Sequence, residues 1–406
     1  MNTPPKSPAG EFLVTQPEFM VGVTGTNGKT SVTQWIAQAL DQCGRRCAIV
    51  GTLGNGFHNE LAPGPNTTPG AHVLAEILPD YVRRGALACA MEVSSIGLHQ
   101  DRVAGIHFDV AVFTNLTRDH LEYHLTMEAY AAEKAKLFAW PGLGQAVLNL
   151  DDPFGRKLAA SLQGRVPTIG FTLEHATGAD RVLRAAELSE TGGRISFMLD
   201  GVRFTAPLVG RFNAANMLAV IGVLLAGGES LERCAAVMSR LEAPAGRMQA
   251  VGGENAPLVV VDYAHTPDAL DKVLTTLRST ATARGGQLVC VFGCGGDRDP
   301  GKRPQMGAIA ARLADAVVVT SDNPRSEDPL AIIDAIVAGM PIRPAIEADR
   351  ARAINTAVEK ADARDVILLA GKGHETYQEI AGLRQPFSDL AAAKSALAGR
   401  HGAAPC

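Results

Sequence analysis

The chain has 406 residues, a formal net charge of −4, 46% hydrophobic and 20% charged residues. That length allows two or three domains and at least one large core, and the charge balance, with no long basic run, argues against nucleic acid as a partner. No stretch approaches the ~18 apolar residues of a membrane span, and MNTPPKSPAGEF has no apolar signal core, so the sequence reads as cytoplasmic, with no membrane partner. Seven cysteines are scattered along it. Cys43 and Cys47 lie at helical spacing and Cys290 and Cys294 flank a loop. Neither pair makes a double CxxC zinc site, so reduced, partly buried thiols are expected.

In chain order, residues 1–17 are Pro-rich and polar and read as a flexible tail. EFMVGVT is then a short apolar strand. It runs into a glycine-bearing loop, and Ser31 to Cys43 has helical periodicity through Val32, Trp35, Ile36, Ala39 and Leu40. Further strands are expected at CAIVGTLG, LACAMEVSS, FDVAVFTNL and AVLNLDD, alternating with helices. That pattern implies a mainly parallel sheet covered on both faces. Residues 168–206 alternate apolar and polar, with turn signals at Gly192-Gly193 and Asp200-Gly201. They read as hairpin strands attached to the main sheet. Helices are expected from about Asn213 to Gly227, carrying the longest apolar run, and from Leu231 to Leu241. APAGRMQAVGGENAP reads as a domain junction. A second α/β series follows, with strands PLVVVDYA, LVCVFGCGG, ADAVVVTSD and DVILLAGKGH. Each strand ends in a polar or glycine-bearing loop, where sites form in open parallel sheets.

VTGTNGKTS, from Val23 to Ser31, ends like a phosphate loop, although the usual G-x-x-x-x-G-K-[ST] would put glycine where Val23 stands. Gly25 and Gly28 let backbone N–H groups approach an anion. Lys29 offers charge to phosphates, and Thr30 offers a hydroxyl to Mg²⁺ at a helix N-terminus. Glu92 ends a buried strand and His120 follows TNLTRD; an acid and an imidazole so placed can reach one Mg²⁺. Lys134 and Lys136, in MEAYAAEKAKLFA, read on sequence alone as solvated helix lysines.

GVTGTNGKTS resembles the ATP loop of the Mur ligase family, which includes folylpolyglutamate synthases and displaces the early glycine in the same way. NTTP (66–69), MEVSS (91–95), TNLTRDHLEYH (114–124), FNAAN (212–216), VDYAHTPDAL (261–270), GCGGDRDPGKRP (293–304), SDNPRSEDP (321–329) and AGKGHETYQ (370–378) follow in the family's order. Together they are similar to the subgroup that adds the third amino acid to the peptidoglycan precursor.

The resemblance implies an α/β fold. A central P-loop ATPase-like, mainly parallel sheet domain (18–243) would bind ATP, and a C-terminal Rossmann-like α/β domain (244–406) would bind the amino acid. The implied activity is ATP-dependent amide formation through an acyl phosphate, with ATP and Mg²⁺, adding meso-2,6-diaminopimelate to the D-Glu carboxylate of UDP-MurNAc-L-Ala-D-Glu. The chain is expected to be a monomer with small-molecule partners only. By resemblance, Gly25, Thr26, Asn27, Gly28, Lys29, Thr30, Ser31, Asn216, Arg247, Asp262, Tyr263 and His265 contact the nucleotide. Thr30, Glu92, His120 and Lys134, the last as a carbamate, accompany the metals; Lys29, Lys134, His120 and Glu92 are the catalytic set. Asn66, Thr67, Thr68, Ser94, Gln100 and Arg102 would hold the acceptor. Arg298, Asp322, Asn323, Arg325, Gly371 and Glu375 would hold diaminopimelate, with Arg325 as a forked donor for its distal carboxylate. Asp262 also reads as a turn cap. Full-length members of the subgroup carry a further N-terminal domain that grips the uridine nucleotide, and only 20 residues precede Val21 here. Two further readings therefore stay open: a ligase whose acceptor lacks uridine, and a non-catalytic nucleotide-binding relative. The MEVSS stretch also departs slightly from relatives, with Ile96 where many have His, and His99 nearby.

Overall fold

The computed structural model describes residues 14–402 apart from Arg118 and Gly192, with only the backbone described for Glu122, His401 and Gly402. Most of the expected N-terminal tail, residues 1–13, lies outside the described residues. The chain divides into two compact units, one of Met1–Leu188, Ser196–Ala206 and Phe212–Glu242, the other of Ser189–Ile195, Pro207–Arg211 and Ala243–Cys406.

The first unit is built on a nine-stranded sheet. Its strands are β1 (Phe19–Thr24), β2 (Cys47–Gly51), β3 (Gly54–Phe57), β4 (Glu60–Ala62), β5 (Ala88–Glu92), β6 (Val110–Phe113), β7 (Gln145–Asn149), β8 (Thr168–Thr172) and β9 (Arg181–Arg184), in the order β4-β3-β2-β5-β1-β6-β7-β8-β9. Every residue of β1, β2, β5 and β6 is buried. This explains why these strands read as continuous apolar runs and not as alternation. From β2 to β9 the pairs are parallel, while β3 and β4 extend the edge antiparallel. β1 pairs with β5 on one side and β6 on the other, with Val23 opposite Glu92 and Thr24 opposite Phe113. The carboxyl ends of three neighbouring strands therefore deliver Gly25, Glu92 and Thr114 to one place, where the strand order switches direction. The helix Lys29–Gln42 leaves β1 through the glycine loop, and its residues from Val32 to Leu40 are buried.

Residues 168–206 differ from the sequence expectation. β8 and β9 do join the main sheet, but β10 (Ala186–Thr191), β11 (Arg194–Leu199) and β12 (Val202–Ala206) form a three-stranded sheet of their own. Asp200 and Gly201 both take left-handed backbone, φ 48° and 82°. That is the tight-turn chemistry that joins antiparallel neighbours locally and needs no larger sheet. The apolar run expected to be a buried helix lies in Arg211–Ala226, where Met217 to Leu224 are all buried. The next helix, Leu231–Met238, stops three residues short of the expected Leu241.

The second unit carries a six-stranded sheet of β13 (Gln249–Gly252), β14 (Leu258–Asp262), β15 (Leu288–Phe292), β16 (Ala316–Val319), β17 (Ala345–Ile346) and β18 (Val366–Ala370), ordered β13-β14-β18-β15-β16-β17. Only β13 is antiparallel to its neighbour. Asp262, Ala370 and Phe292 lie in register at the carboxyl ends of β14, β18 and β15. The following loops open together there. A hairpin of β19 (Tyr377–Ile380) and β20 (Leu383–Pro386) completes the rim. Among the described residues no helix is long and apolar enough to cross a membrane.

Candidate functional site

In the first unit the loop after β1 is held open by glycine. Gly25 has φ 147°, and a Cβ there would sit 1.9 Å from Thr114 Oγ1; a Cβ on Gly28 (φ 86°) would sit 2.7 Å from Asn216 Oδ1. The loop is pinned from the β6 side. Thr26 N–H donates to Asn115 O (2.8 Å), Asn27 N–H to Asn115 Oδ1 (2.9 Å), and Thr114 Oγ1 to Asn27 O (2.6 Å). Lys29 folds back so that Nζ donates to the carbonyls of Gly25 and Thr26, each at 2.9 Å. An ammonium parked over its own loop is positioned for an anion that the loop would wrap.

Glu92, at the end of β5, is 1% exposed. Its carboxylate accepts from Thr30 Oγ1 (3.0 Å), Thr52 N–H (2.8 Å) and Thr52 Oγ1 (3.1 Å). A Cβ on Gly51 would come within 2.4 Å of Glu92 Oε1, so the neighbouring strand must carry glycine to admit the carboxylate. Thr30 and Glu92 thus present hard oxygen donors side by side. Lys134, 1% exposed, donates Nζ to Gly25 O (2.8 Å) and lies 4.4 Å from the centre of the Tyr130 ring. Burial first, and Lys29 beside it, hold its ammonium well below the ordinary lysine range. Tyr130 OH shares a 3.2 Å hydrogen bond with Thr26 Oγ1, and burial pushes its phenol up to about 12. His120 caps the short helix Leu121–His124 in left-handed backbone, φ 53°, its ring 6.2 Å from that of Tyr130 and Nε2 3.5 Å from Asp119 Oδ2. Tyr130 therefore stands against both Lys134 and His120. Among the described residues no three His, Cys, Asp or Glu side chains form a metal cluster by themselves.

The residues expected to hold the acceptor are stitched to the end of β5. Thr68 Oγ1 donates to Glu92 O (2.9 Å) and accepts from Ser94 N–H (3.0 Å). Arg102 Nη1 donates to Thr68 O (2.9 Å), and its Nε and Nη2 grip Gln100 Oε1. Thr67 and Thr52 share a hydroxyl contact of 3.0 Å, and Asn66 is exposed on the same loop. Ser94 also caps the following helix by accepting from Gly97 N–H.

In the second unit Asp262 is committed to backbone: Oδ2 accepts from Met248 N–H and Oδ1 from Ala264 N–H, both at 2.9 Å. The turn-cap reading of its carboxylate therefore describes its present contacts. Arg247 and His374 lie over Tyr263 at 5.1 and 5.2 Å, and His265, exposed, bonds Tyr263 O through Nδ1. A Cβ on Gly246 would lie 2.1 Å from His374 N, so the chain there passes flush against the loop after β18.

The loops after β15, β16 and β18 converge. Asp322 is buried beside Gly371, whose absent Cβ would meet its Oδ2 at 2.4 Å, and burial holds its carboxyl above the usual range. Asn323 Nδ2 donates to Glu375 Oε2 (2.7 Å). Arg325 takes left-handed backbone, φ 54°, donates N–H to Glu379 O and Nη1 to Gly296 O. Gly295 lies between the two expected arginines, its Cβ position 2.9 Å from Arg325 Nη1 and 3.8 Å from Arg298 Cγ; Arg298 itself is exposed. Lys372, between two glycines in AGKGHETYQ, carried no expectation from the sequence. It is fully buried and joins Asn323 and Glu375. Arg350, also unforeseen, is fully buried, pairs twice with Asp389 at 2.7 Å and donates to Ser321 O and Ala370 O.

A mainly parallel sheet carrying a phosphate-loop-like glycine turn, followed by a second α/β unit whose polar loops converge, fits the class of ATP-dependent ligases, and comparison with known families agrees. The Mur ligase middle domain matches residues 23–224 and the Mur ligase glutamate ligase domain residues 246–373. The chain belongs to the Mur ligase family. It is 54% identical over 382 residues to UDP-N-acetylmuramoyl-L-alanyl-D-glutamate–2,6-diaminopimelate ligase of Chromobacterium violaceum, covering 93% of this chain and 77% of that one. It is 53% identical to the ligase of the same name from Ralstonia nicotianae, covering 94% of this chain and 76% of that one. A solved structure of a ligase with this name superposes with a TM-score of 0.73 at 40% identity, over 95% of this chain and 80% of that chain.

Proposed function

We propose that the chain joins the amine of meso-2,6-diaminopimelate to the D-glutamyl carboxylate of UDP-MurNAc-L-Ala-D-Glu at the expense of ATP. The region 18–243 serves ATP and the acceptor, and 244–406 serves the amino acid. The acceptor carboxylate attacks the γ-phosphate, giving an acyl phosphate and ADP; the amine then attacks the acyl carbon and phosphate leaves. The observation that carries the reading is the convergence of Asn323, Arg325 and Glu375 in a chain 54% identical to relatives named for this reaction. Arg325 offers a fork to the distal carboxylate and Glu375 an oxygen to the distal ammonium.

In the ATP half, Gly25 to Ser31 would wrap the phosphates with Lys29 as counter-charge and Asn216 beside Gly28, while Arg247, Asp262, Tyr263 and His265 would be the second unit's own nucleotide contacts. Asn66, Thr67, Thr68, Ser94, Gln100 and Arg102 would hold the acceptor. The residues fit Mg²⁺: Thr30 and Glu92 bring oxygen donors within 3.0 Å of each other. Such an ion supplies charge neutralisation at the phosphates, and His120 and Lys134 as its carbamate would complete its surroundings. Lys134's lowered proton affinity suits that modification, because only the neutral amine adds CO₂. We place the protein in the cytoplasm as a monomer.

The test is ADP release with ATP, Mg²⁺ and the nucleotide-linked dipeptide, comparing meso-diaminopimelate with L-lysine. A discrimination of roughly 30- to 1000-fold is expected, from the cost of leaving Arg325 without its carboxylate. Equal rates would overturn the assignment of the amino acid.

A further inference from the structure

Glu375 does not wait in the pocket with both oxygens exposed. Its Oε2 accepts from Lys372 Nζ at 3.0 Å and from Asn323 Nδ2 at 2.7 Å. Lys372 Nζ in turn donates to Asn323 Oδ1 at 2.9 Å, and Glu379 N–H donates to the same oxygen at 3.0 Å. The three side chains close a triangle. Lys372 is fully buried and Asn323 1% exposed, whereas the Glu375 side chain keeps 19% exposure. The triangle is further tied to its loops: Glu375 N–H donates to Lys372 O, and Gly296 N–H to Asn323 O. The ring of Tyr377 lies 5.7 Å from the lysine nitrogen, closing its far side. One oxygen of Glu375 is thus satisfied from within the protein, by Lys372 Nζ and Asn323 Nδ2.

We propose that Lys372 is a specificity-determining positioning residue: by neutralising and orienting Glu375 it makes the pocket read the distal carboxylate of the amino acid first and the distal ammonium second. The inference rests on the assignment above of Arg325 to the carboxylate and Glu375 to the ammonium. Its physical content is an asymmetry. A substrate without the distal carboxylate leaves the Arg325 guanidinium with the neutral Gly296 carbonyl in place of a carboxylate. A substrate without the distal ammonium leaves Glu375 still paired with Lys372, so no buried charge is stranded. Remove Lys372 and the asymmetry shrinks, because Glu375 then leans more heavily on the substrate's ammonium, with Arg350 acting only at longer range.

2-Aminopimelate, which keeps both carboxylates and the reacting amine but lacks the distal ammonium, separates these cases from lysine. In the unaltered enzyme kcat/KM for 2-aminopimelate is expected within ~10-fold of that for diaminopimelate, with lysine at least ~10-fold poorer than 2-aminopimelate. In Lys372→Met the preference for diaminopimelate over 2-aminopimelate rises by ~10-fold or more, and in the double variant Lys372→Met, Glu375→Gln it falls back toward the original. Lysine outperforming 2-aminopimelate in the unaltered enzyme would overturn the proposal without any variant. So would a folded Lys372→Met with an unchanged ratio, folding being checked by its melting curve. No turnover of diaminopimelate by the unaltered enzyme would instead refute the functional reading, so the two failures are distinguishable.

Discussion

Lys134 is costly to the fold, and the proposed reaction gives that cost a use. Its ammonium is buried, pushed below its ordinary range by desolvation and by Lys29, and offset by one carbonyl and one aromatic face. A lysine with a lowered folded pKa binds fewer protons in the native state than in the unfolded one. Its stability contribution is therefore least favourable below the folded pKa and improves as pH rises from there toward the unfolded value near 10.5. Lys134→Met should melt no lower than the parent near neutral pH, while ligase turnover falls by at least ~100-fold, since the electrostatic surroundings of the transferring phosphoryl group are lost. Melting curves set beside ADP release would decide, and a lower melting point with retained turnover contradicts the argument. From the sequence alone Lys134 could not be told from Lys136: both sit in one helical run, and only the long-range approach of the Gly25 loop buries one of them. Lys136 stays half exposed, paired with Glu133. His120, by contrast, carried a local signal in TNLTRDH. Its left-handed backbone did not.

At the level of elements, the strand–loop–helix around Gly25 was readable because three local signals coincide: a buried apolar run, glycines where backbone must approach an anion, and a periodic helix. What the sequence did not disclose is how the loop is fastened. Thr114 and Asn115 follow β6, some ninety residues away, and the contact exists only because β1 and β6 are sheet neighbours. Gly25→Ala would drive a methyl group into Thr114 Oγ1 at φ 147°. It should cost about 1–3 kcal/mol from backbone strain and abolish nucleotide binding at concentrations that saturate the parent. Calorimetric titration with a non-hydrolysable ATP analogue measures the second effect, and undiminished affinity would show that the loop does not wrap the phosphates. The separate sheet of β10 to β12 escaped the sequence reading for a related reason. Alternation predicts strands but not which sheet they join, because pairing partners are chosen by turn geometry and the far face.

For the molecule as a whole, the two units have their own cores, one packed on the nine-stranded sheet around Met20, Met91 and Phe113, the other on the six-stranded sheet around Val260, Leu274 and Phe292. The change in composition near residue 243 pointed to such a division, since APAGRMQAVGGENAP offers little to bury. The Arg350–Asp389 pair was beyond the sequence. An arginine in a periodic helix reads as exposed, and its partner lies 39 residues on. Arg350→Met should strand Asp389 and cost the second unit about 3–5 kcal/mol. In scanning calorimetry the transition of that unit should fall while that of the first holds; a uniform shift would mean that the units melt as one. The chain spans 77% of its Chromobacterium violaceum relative, and the match covers 93% of this chain.

On the proposed assignment of Arg325 to the distal carboxylate, the backbone there narrows the routes by which substrate preference can drift. With φ 54° and both its N–H and C=O locked to the β19 loop, through Glu379 O and Ala381 N–H, that position must remain left-handed whatever side chain it carries. Glycine and asparagine would enter at little conformational cost, while a β-branched residue would be rejected by the main chain before its chemistry was ever sampled. A lineage exchanging a diacid for a monoacid at this pocket would thus find few single-codon paths open, and the geometry of the loop would act as a brake on divergence independent of selection on the arginine itself.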